Sequence, residues 1–557
     1  MNYSAGAITV QSDLTILLNH AHPDAAVARE KLNAWTELLH KAGTIHLYKL
    51  SALSLWNAVS MGENERDMLE WMKQNSTNGL PLKAEAMIRA WLNRFGKVVL
   101  YYDKERLILA FDSSLLHTAP LMSLVHKWAV SSINECRFVV NAEDRGLIKQ
   151  ELTRSGFPVI DQAGYIAGED LPVQLRTTTR SGVSFRLRSY QQEALARWKH
   201  QTELLCGSGV AVLPCGAGKT VVGIAALASL RKAALILTSS STSVQQWKQE
   251  LLDKTTLTEQ DIGVYCGRSK QVRPITIATY NILTHRSSKT ADFAHMQLFT
   301  EREWGIIIYD EVHLLPAPVF RMTADIQATR RLGLTATLIR EDGCAEDVYS
   351  LIGPKLYDMN WKNAEQQQVI AEVHCTEIRV PLDKAVQMKY EKAGAREKLR
   401  IASENAEKLT VVRQLLEKHA DKQTLVIGQY LSQLSEAAQL LQAPLLTGEV
   451  SHEKRQKIFD QFKSGPIRVL VLSKIANLAV DLPDASVAIQ LSGSFGSRQE
   501  EAQRIGRLLR PKQGTNEAWF YTLVTDQTKE TEFAMKRQLF MLEQGYQYER
   551  VELKEKV

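Results

Sequence analysis

The sequence predicts an α/β protein: two parallel-sheet domains in tandem, preceded by α+β accessory domains on the N-terminal side. Three observations lead there. A length of 557 residues accommodates three to four domains at about 150 residues each. From Phe185 onward, short β-rich runs alternate with helix-length segments, the pattern of parallel strands joined by crossover helices. A second such series begins near residue 366, with no short-period repeat linking the two.

Taken in order, Asp24–Leu39 has apolar residues at helical spacing, and Leu53–Val59 and Met68–Met72 look similar. Val98–Ala110 reads as a strand, a charged Asp-Lys-Glu-Arg turn and a second strand. Arg137–Asn141 followed by Glu143–Gly156 suggests strand then helix. Thr177–Ser184 is polar and contains glycine, as a linker does. The first α/β series is Val210–Leu213, Ala234–Leu237, Ile275–Ala278, Ile306–Tyr309 and Leu332–Leu334. The second is Thr424–Ile427, Val469–Leu472, Val487–Gln490 and Trp519–Leu523. The expected domains are 1–97, 98–180, 181–365 and 366–557.

Composition narrows the class. Hydrophobic residues form 45% and charged residues 23% of the chain, which excludes a largely disordered protein. No apolar run approaches the roughly 18–20 residues of a membrane span, and Met1–Gln11 lacks a basic segment, so neither a membrane nor a secretory signal is expected. The six cysteines (Cys136, Cys206, Cys215, Cys266, Cys344, Cys375) come no closer than nine residues apart and form no CxxC pair. Reduced thiols in a cytoplasmic protein are expected. The net charge is +6, and residues 1–180 are balanced, so the excess lies in 181–557. That permits a nucleic-acid partner without requiring one.

The chemistry begins at Val210–Thr220 (VAVLPCGAGKT), an apolar strand, a glycine loop and a helix start. Backbone N–H groups at such a junction point at phosphate. Gly216 and Gly218 allow close approach, with Ala217 between them in the nucleotide-binding loop, Lys219 can pair with the β- and γ-phosphates of ATP, and Thr220 can ligate Mg²⁺. Leu213 stands where the strict phosphate-loop motif has its first glycine. Ninety-one residues after Lys219, the apolar strand of IIIYDEVH ends in Asp310 and Glu311. Asp310 can hold Mg²⁺ through water, and Glu311 can deprotonate the attacking water. A strand end with two carboxylates is often only solvated; with the phosphate loop upstream, it predicts ATP hydrolysis. In LGLTAT, Thr335 and Thr337 can relay between the nucleotide and a second site, or can be merely solvated. In QRIGRLLR, spacing places Gln503, Arg507 and Arg510 on one helix face. An arginine from a second domain can stabilise the transferring phosphoryl group; standing alone, the stripe would read as a basic solvated helix face.

The order Arg188-x-x-Gln191, GAGKT, DEVH, TAT and QRIGRLLR resembles superfamily 2 helicases and translocases, and within them the XPB family, a motor of DNA repair and transcription initiation. LRSYQ (Leu187–Gln191), LPCGAGKT (Leu213–Thr220), VQQWK (Val244–Lys248) and LGLTATLIRED (Leu332–Asp342) carry that resemblance. LIGPKLY (Leu351–Tyr357), DLPDA (Asp481–Ala485) and SRQEEAQRIGRLLRPK (Ser497–Lys512) extend it. VQSDLTILL (Val10–Leu18) and LSLWNA (Leu53–Ala58) resemble the N-terminal domain of bacterial XPB-type proteins. The likeness is weakest between about 75 and 180.

The resemblance implies two RecA-like domains, ATP and Mg²⁺ as cofactors, and 3′→5′ unwinding of duplex or forked DNA. It makes Arg188 and Gln191 adenine readers, Lys219 and Thr220 nucleotide and Mg²⁺ ligands, Asp310 and Glu311 the catalytic carboxylates, Arg507 and Arg510 candidate arginine fingers, and Gln503 a γ-phosphate contact. Arg340, Glu341 and Asp342 match the RED element of strand separation, and Asp481 a coupling carboxylate. It implies a nuclease or repair-complex partner, and leaves 98–180 as a candidate damage-recognition domain. Two departures stand out. Ala476-Asn477 replaces the family's Gly-Asp, and the segment after RED is acidic (GCAEDVY). The basic stretch 383–400 reads as a DNA-gripping thumb or equally as an exposed helical hairpin. A duplex translocase that does not separate strands, an RNA helicase, a restriction-enzyme motor and a nucleotide-gated scaffold are the alternatives.

Overall fold

The computed structural model describes residues 6–553 apart from 201–206, 268, 287, 289–292, 328, 339–344, 474–484, 494–496, 507 and 513–514, and omits the side chains of 42, 200, 321, 452 and 499. The chain packs as two compact units, Met1–Leu213 with Gly218–Asp358, and Met359–Val557 with Pro214–Ala217.

The first unit opens with a four-stranded antiparallel sheet in the order Ile8–Val10, Thr15–Asn19, Ile45–Lys49, Glu37–Ala42. The helix expected over Asp24–Leu39 is shorter, Ala25–Trp35. Thr36 turns to extended backbone (φ −134°, ψ 173°), and Leu38 is then buried from a strand. Helix Ala52–Ser60 starts in a capping box between Ser51 and Ser54, which satisfies backbone donors that the first turn leaves open. Its Asn57 Oδ1 accepts from the backbone N–H of Lys355 at 2.9 Å, so two segments singled out in the sequence meet.

A mixed five-stranded sheet follows, in the order Ala129–Asn134, Arg137–Val140, Arg106–Phe111, Val98–Asp103, Val159–Asp161. The expected strand, turn and strand are the hairpin Val98–Asp103/Arg106–Phe111. Helix Arg145–Arg154 covers it and docks on the next domain through a buried charge cluster. Asp161 meets Arg145 at 2.8 Å and Lys149 at 2.9 Å, and Lys149 reaches Gln327 Oε1 at 2.7 Å. Two cations hold the Asp161 carboxyl well below the ordinary range, against the opposing effect of burial; burial dominates for Lys149, which falls to about 8. The stretch read as a linker is tied down, with Arg176 and Arg180 N–H donating to the carbonyls of Lys254 and Asp253 at 2.9 and 3.0 Å.

The eight-stranded sheet runs Ser269–Lys270, Ile262–Cys266, Ile275–Thr279, Ala234–Thr238, Ile306–Asp310, Arg330–Thr335, Ser208–Val212, Lys355–Asp358. All its pairs are parallel except that of Ser269–Lys270. The second unit holds a seven-stranded parallel sheet in the order Leu445–Leu446, Val469–Ser473, Thr424–Gly428, Val487–Gln490, Glu517–Thr525, Glu372–Val380, Tyr548–Glu552. The expected strands are all present. Six strands of these two sheets were not read: Ile262–Cys266, Ser269–Lys270, Lys355–Asp358, Glu372–Val380, Leu445–Leu446 and Tyr548–Glu552. All six lie at or next to sheet edges, and most are short or interleaved with charge. The basic stretch 383–400 forms helices Lys384–Lys392 and Ala395–Ser403, the first capped by Asp383, whose carboxylate accepts from Ala385 N–H at 2.8 Å.

Candidate functional site

The parallel sheet of the first unit gathers the predicted residues at its C-terminal edge, where open α/β sheets place ligands. Strand Ser208–Val212 pairs with Arg330–Thr335, Val212 opposite Thr335, and that strand pairs with Ile306–Asp310. The glycine loop, Thr335 and the paired carboxylates are therefore delivered by three neighbouring strands.

Leu213 does not turn into the loop as a glycine would. Its N–H donates to Thr335 O at 2.9 Å and it is fully buried, so it extends the strand by one residue. The turn falls to Gly216 and Gly218, at φ +84° and +79°, where a side chain would be strained. Helix Lys219–Leu230 begins immediately, aiming its first N–H groups toward the loop. Gln191 is buried, accepts from Arg188 N–H through Oε1 at 3.0 Å, and places Nε2 where a methyl on Gly218 would lie 2.6 Å away. Arg188 itself is exposed.

Lys219 Nζ lies 3.0 Å from Glu311 Oε1. Glu311 is held in the left-handed region at φ +53°, a conformation that costs a non-glycine residue about 1–2 kcal/mol and that concentrates at functional sites. Asp310 Oδ2 accepts from the indole N–H of Trp247 at 2.9 Å, and its carbonyl accepts from Tyr280 Oη at 2.9 Å. Burial, then the charge of Glu311, holds the Asp310 carboxyl above its ordinary range, against Lys219 and the Trp247 bond. Two crowded carboxylates are hard oxygen donors suited to Mg²⁺, which would relieve their repulsion.

Thr335 and Thr337 are buried rather than solvated. Thr335 Oγ1 donates to Thr337 O at 2.5 Å and accepts from Thr337 N–H at 3.2 Å. Its proton is thereby used, so His313 Nδ1, 2.6 Å away, is the donor to Thr335. The same nitrogen is 3.4 Å from Glu311 Oε2. His313 and Trp247 are site neighbours to which sequence reasoning assigned no role, although both letters stood inside the quoted motifs.

In the second unit, Gln503 and Arg510 do not share one helix. Helix Arg498–Gly506 carries Gln503 and stops at Gly506. Leu508 N–H donates to Ile505 O at 2.8 Å in a tighter turn, and Leu508 and Leu509 are buried. Arg510 thus lies beyond the helix. Arg504 takes a buried structural position, bonded to Gln490 and Glu500. Arg507, Arg340, Glu341, Asp342, Asp481 and Ala476-Asn477 lie outside the described residues.

A glycine loop facing paired carboxylates on one parallel sheet, with a second parallel α/β sheet following in the chain, defines a nucleotide-driven motor. The chain belongs to the XPB helicase family. It is 44% identical over 98% of its length to a DNA 3′-5′ helicase XPB of Kineococcus radiotolerans, covering 96% of that protein. Identity to the DNA 3′-5′ helicase XPB of Mycobacterium tuberculosis is 43%, over 98% of this chain and 97% of the relative. The general transcription and DNA repair factor IIH helicase/translocase subunit XPB/SSL2 of Saccharomyces cerevisiae is 30% identical, over 96% of this chain and 71% of that one. Residues 364–557 match the ERCC3/RAD25/XPB C-terminal helicase family, 8–130 a helicase conserved C-terminal domain family, and 184–340 the type III restriction enzyme res subunit family. Membership of a helicase family implies use of ATP.

Proposed function

We propose that the chain is an ATP-dependent DNA helicase of the XPB type that separates duplex or forked DNA with 3′→5′ polarity in DNA repair. The observation that carries this reading is the meeting of Lys219, Glu311 and Asp310 beside the Gly216–Gly218 loop. Lys219 and Thr220 hold the phosphates of ATP, and Thr220 with Asp310 would hold Mg²⁺, which would supply charge neutralisation to the phosphates. Glu311 takes the proton of the attacking water. Gln191 and Arg188 read the adenine, and Gln503, Arg507 and Arg510 supply contacts from the second α/β domain. Thr335, with Thr337, links the nucleotide to strand separation through His313. Arg340, Glu341, Asp342 and Asp481 serve that same step.

The domains we assign are an XPB-type N-terminal domain over 1–97, a DNA-recognition domain over 98–180, and motor domains over 181–365 and 366–557, with helices 383–400 as a DNA-gripping thumb. No helix among the described residues is long and apolar enough to cross a membrane, and we place the protein in the cytoplasm, with a nuclease or another repair component as partner.

Steady-state ATPase rates with duplex, forked and single-stranded DNA and with RNA test this reading, together with strand release from substrates tailed at either end. Forked DNA with a 3′ tail should activate most and be unwound. Activation by RNA alone would overturn it, and DNA-stimulated ATPase without strand release would leave a duplex translocase.

A further inference from the structure

We propose that Trp247 is a positioning residue of the ATPase: its indole N–H fixes the orientation of the Asp310 carboxylate for the cation shell. The proposal rests on the reading of Asp310 as a Mg²⁺ holder. Trp247 sits inside helix Ser241–Lys254, whose first turn is capped by Ser240, the side chain accepting from Ser243 N–H at 3.1 Å. It is 1% exposed. The six-membered ring lies against Gly223 of the phosphate-loop helix, where an added methyl would come within 2.6 Å of Cη2 and 3.0 Å of Leu334 Cδ1. The opposite edge of the indole delivers Nε1 to Asp310 Oδ2 at 2.9 Å.

One rigid side chain thus spans the helix that opens at Lys219 and the strand that ends at Asp310. Glycine at 223 is the condition for that span, because any larger residue would displace the ring. The chemistry of the donor matters as much as its position. Indole N–H donates only, carries no charge and cannot titrate in the working range. It holds a carboxylate against rotation without neutralising it, whereas a lysine or arginine at this point would repel the cation. Groups that orient metal-binding carboxylates typically change metal affinity by about 10–100-fold when removed.

The test compares Trp247→Phe, which keeps an aromatic ring on Gly223 and loses the donor, with Asp310→Asn in the full chain. A fluorescent ATP analogue is titrated with and without Mg²⁺, and the Mg²⁺ concentration for half-maximal binding enhancement is read. Trp247→Phe should bind Mg²⁺-free nucleotide like the parent and need about tenfold more Mg²⁺. Equal loss with and without Mg²⁺ would reduce Trp247 to packing and overturn the proposal, as would an unchanged Mg²⁺ requirement. If Asp310→Asn leaves the Mg²⁺ requirement unchanged, the underlying assignment of Asp310 fails instead. A measurement on the unsubstituted chain covers a variant that does not fold. Among its ten tryptophans, one indole N–H resonance should shift when Mg²⁺ joins bound nucleotide in the parent and stay in place in Asp310→Asn; no shifting resonance overturns the proposal.

Discussion

Glu311→Gln should move ATP binding and ATP hydrolysis in opposite directions. Glu311 Oε1 stands 3.0 Å from Lys219 Nζ, with side chains 24% and 11% exposed. The lysine assigned to phosphate is therefore partnered by the assigned base before nucleotide arrives. A hydrogen bond to a charged group contributes about 1.5–3 kcal/mol, and partial exposure reduces this to about 1 kcal/mol. ATP must displace that contact, so its neutral replacement should tighten nucleotide binding by about fivefold. The same change removes the proton acceptor, which costs about 10²–10⁴-fold in turnover. Equilibrium binding of a fluorescent ATP analogue and phosphate release with forked DNA measure the two effects. Turnover within tenfold of the parent would refute the role of Glu311 as base. Weaker ATP binding would refute the competition at Lys219.

The other predictions address separate parts of the chain. Arg507→Ala and Arg510→Ala should bind ATP nearly as well as the parent, and whichever is the finger should lose turnover on the order of 10³-fold; rates for both near the parent's would leave the second domain without one. Gly218→Ala meets a backbone at φ +79° and Gln191 Nε2 at 2.6 Å; left-handed strain of about 1–2 kcal/mol should weaken ATP about tenfold, read by the same binding assay. Lys408 and Glu530, bonded at 2.8 Å and both buried, should make Lys408→Met cost about 3–5 kcal/mol in urea unfolding of the second unit, most of it recovered when Glu530→Gln is added. Burial, with His20, Lys41 and Arg29 nearby, pushes His46 down to about 4. The folded state refuses a proton that the unfolded state takes near pH 6.5, so stability falls by up to about 3 kcal/mol as pH drops from 6.5 toward 4. Hydrogen exchange over residues 8–49 should show that loss in the parent and not in His46→Phe.

The two parallel sheets were legible because their central strands are unbroken apolar runs, such as Ile306–Tyr309 and Leu235–Leu237. Residues buried on both faces leave no ambiguity of period. Glu372–Val380 escaped because its alternation of Glu, His, Thr and Arg resembles a surface segment, although it is paired on both sides, next to the edge strand Tyr548–Glu552. The glycine loop and paired carboxylates were legible from residue type and order. Their partners were not. Trp247, on a helix, and His313, in the turn after a strand, meet partners that lie well apart in sequence, and no local pattern distinguishes a core tryptophan from one whose N–H meets a carboxylate. Gln503 and Arg510 do not share a helix, for a local reason. A common face assumes an uninterrupted helix, and the turn at Leu508, with Leu508 and Leu509 buried, comes before Arg510.

The strands that carry the nucleotide site are anchored at their opposite ends by a second polar cluster. At the entry of strand Ser208–Val212, Ser208 Oγ accepts from Arg331 Nη2 at 3.0 Å. Arg331 is fully buried in the strand that ends at Thr335 and donates to the carbonyls of Gln327 and Thr329 at 2.8 and 2.5 Å. Gln327 in turn receives Lys149 from the helix covering the five-stranded sheet, and Gly146 of that helix approaches so closely that a methyl there would meet Ala324 O at 2.1 Å. The five-stranded sheet is thus fastened, through buried charge and backbone contact, to the very strands whose far ends deliver the phosphate loop and Thr335. Breaking one partner of such a cluster leaves an uncompensated charge in the interior, so hinging at this junction is costly.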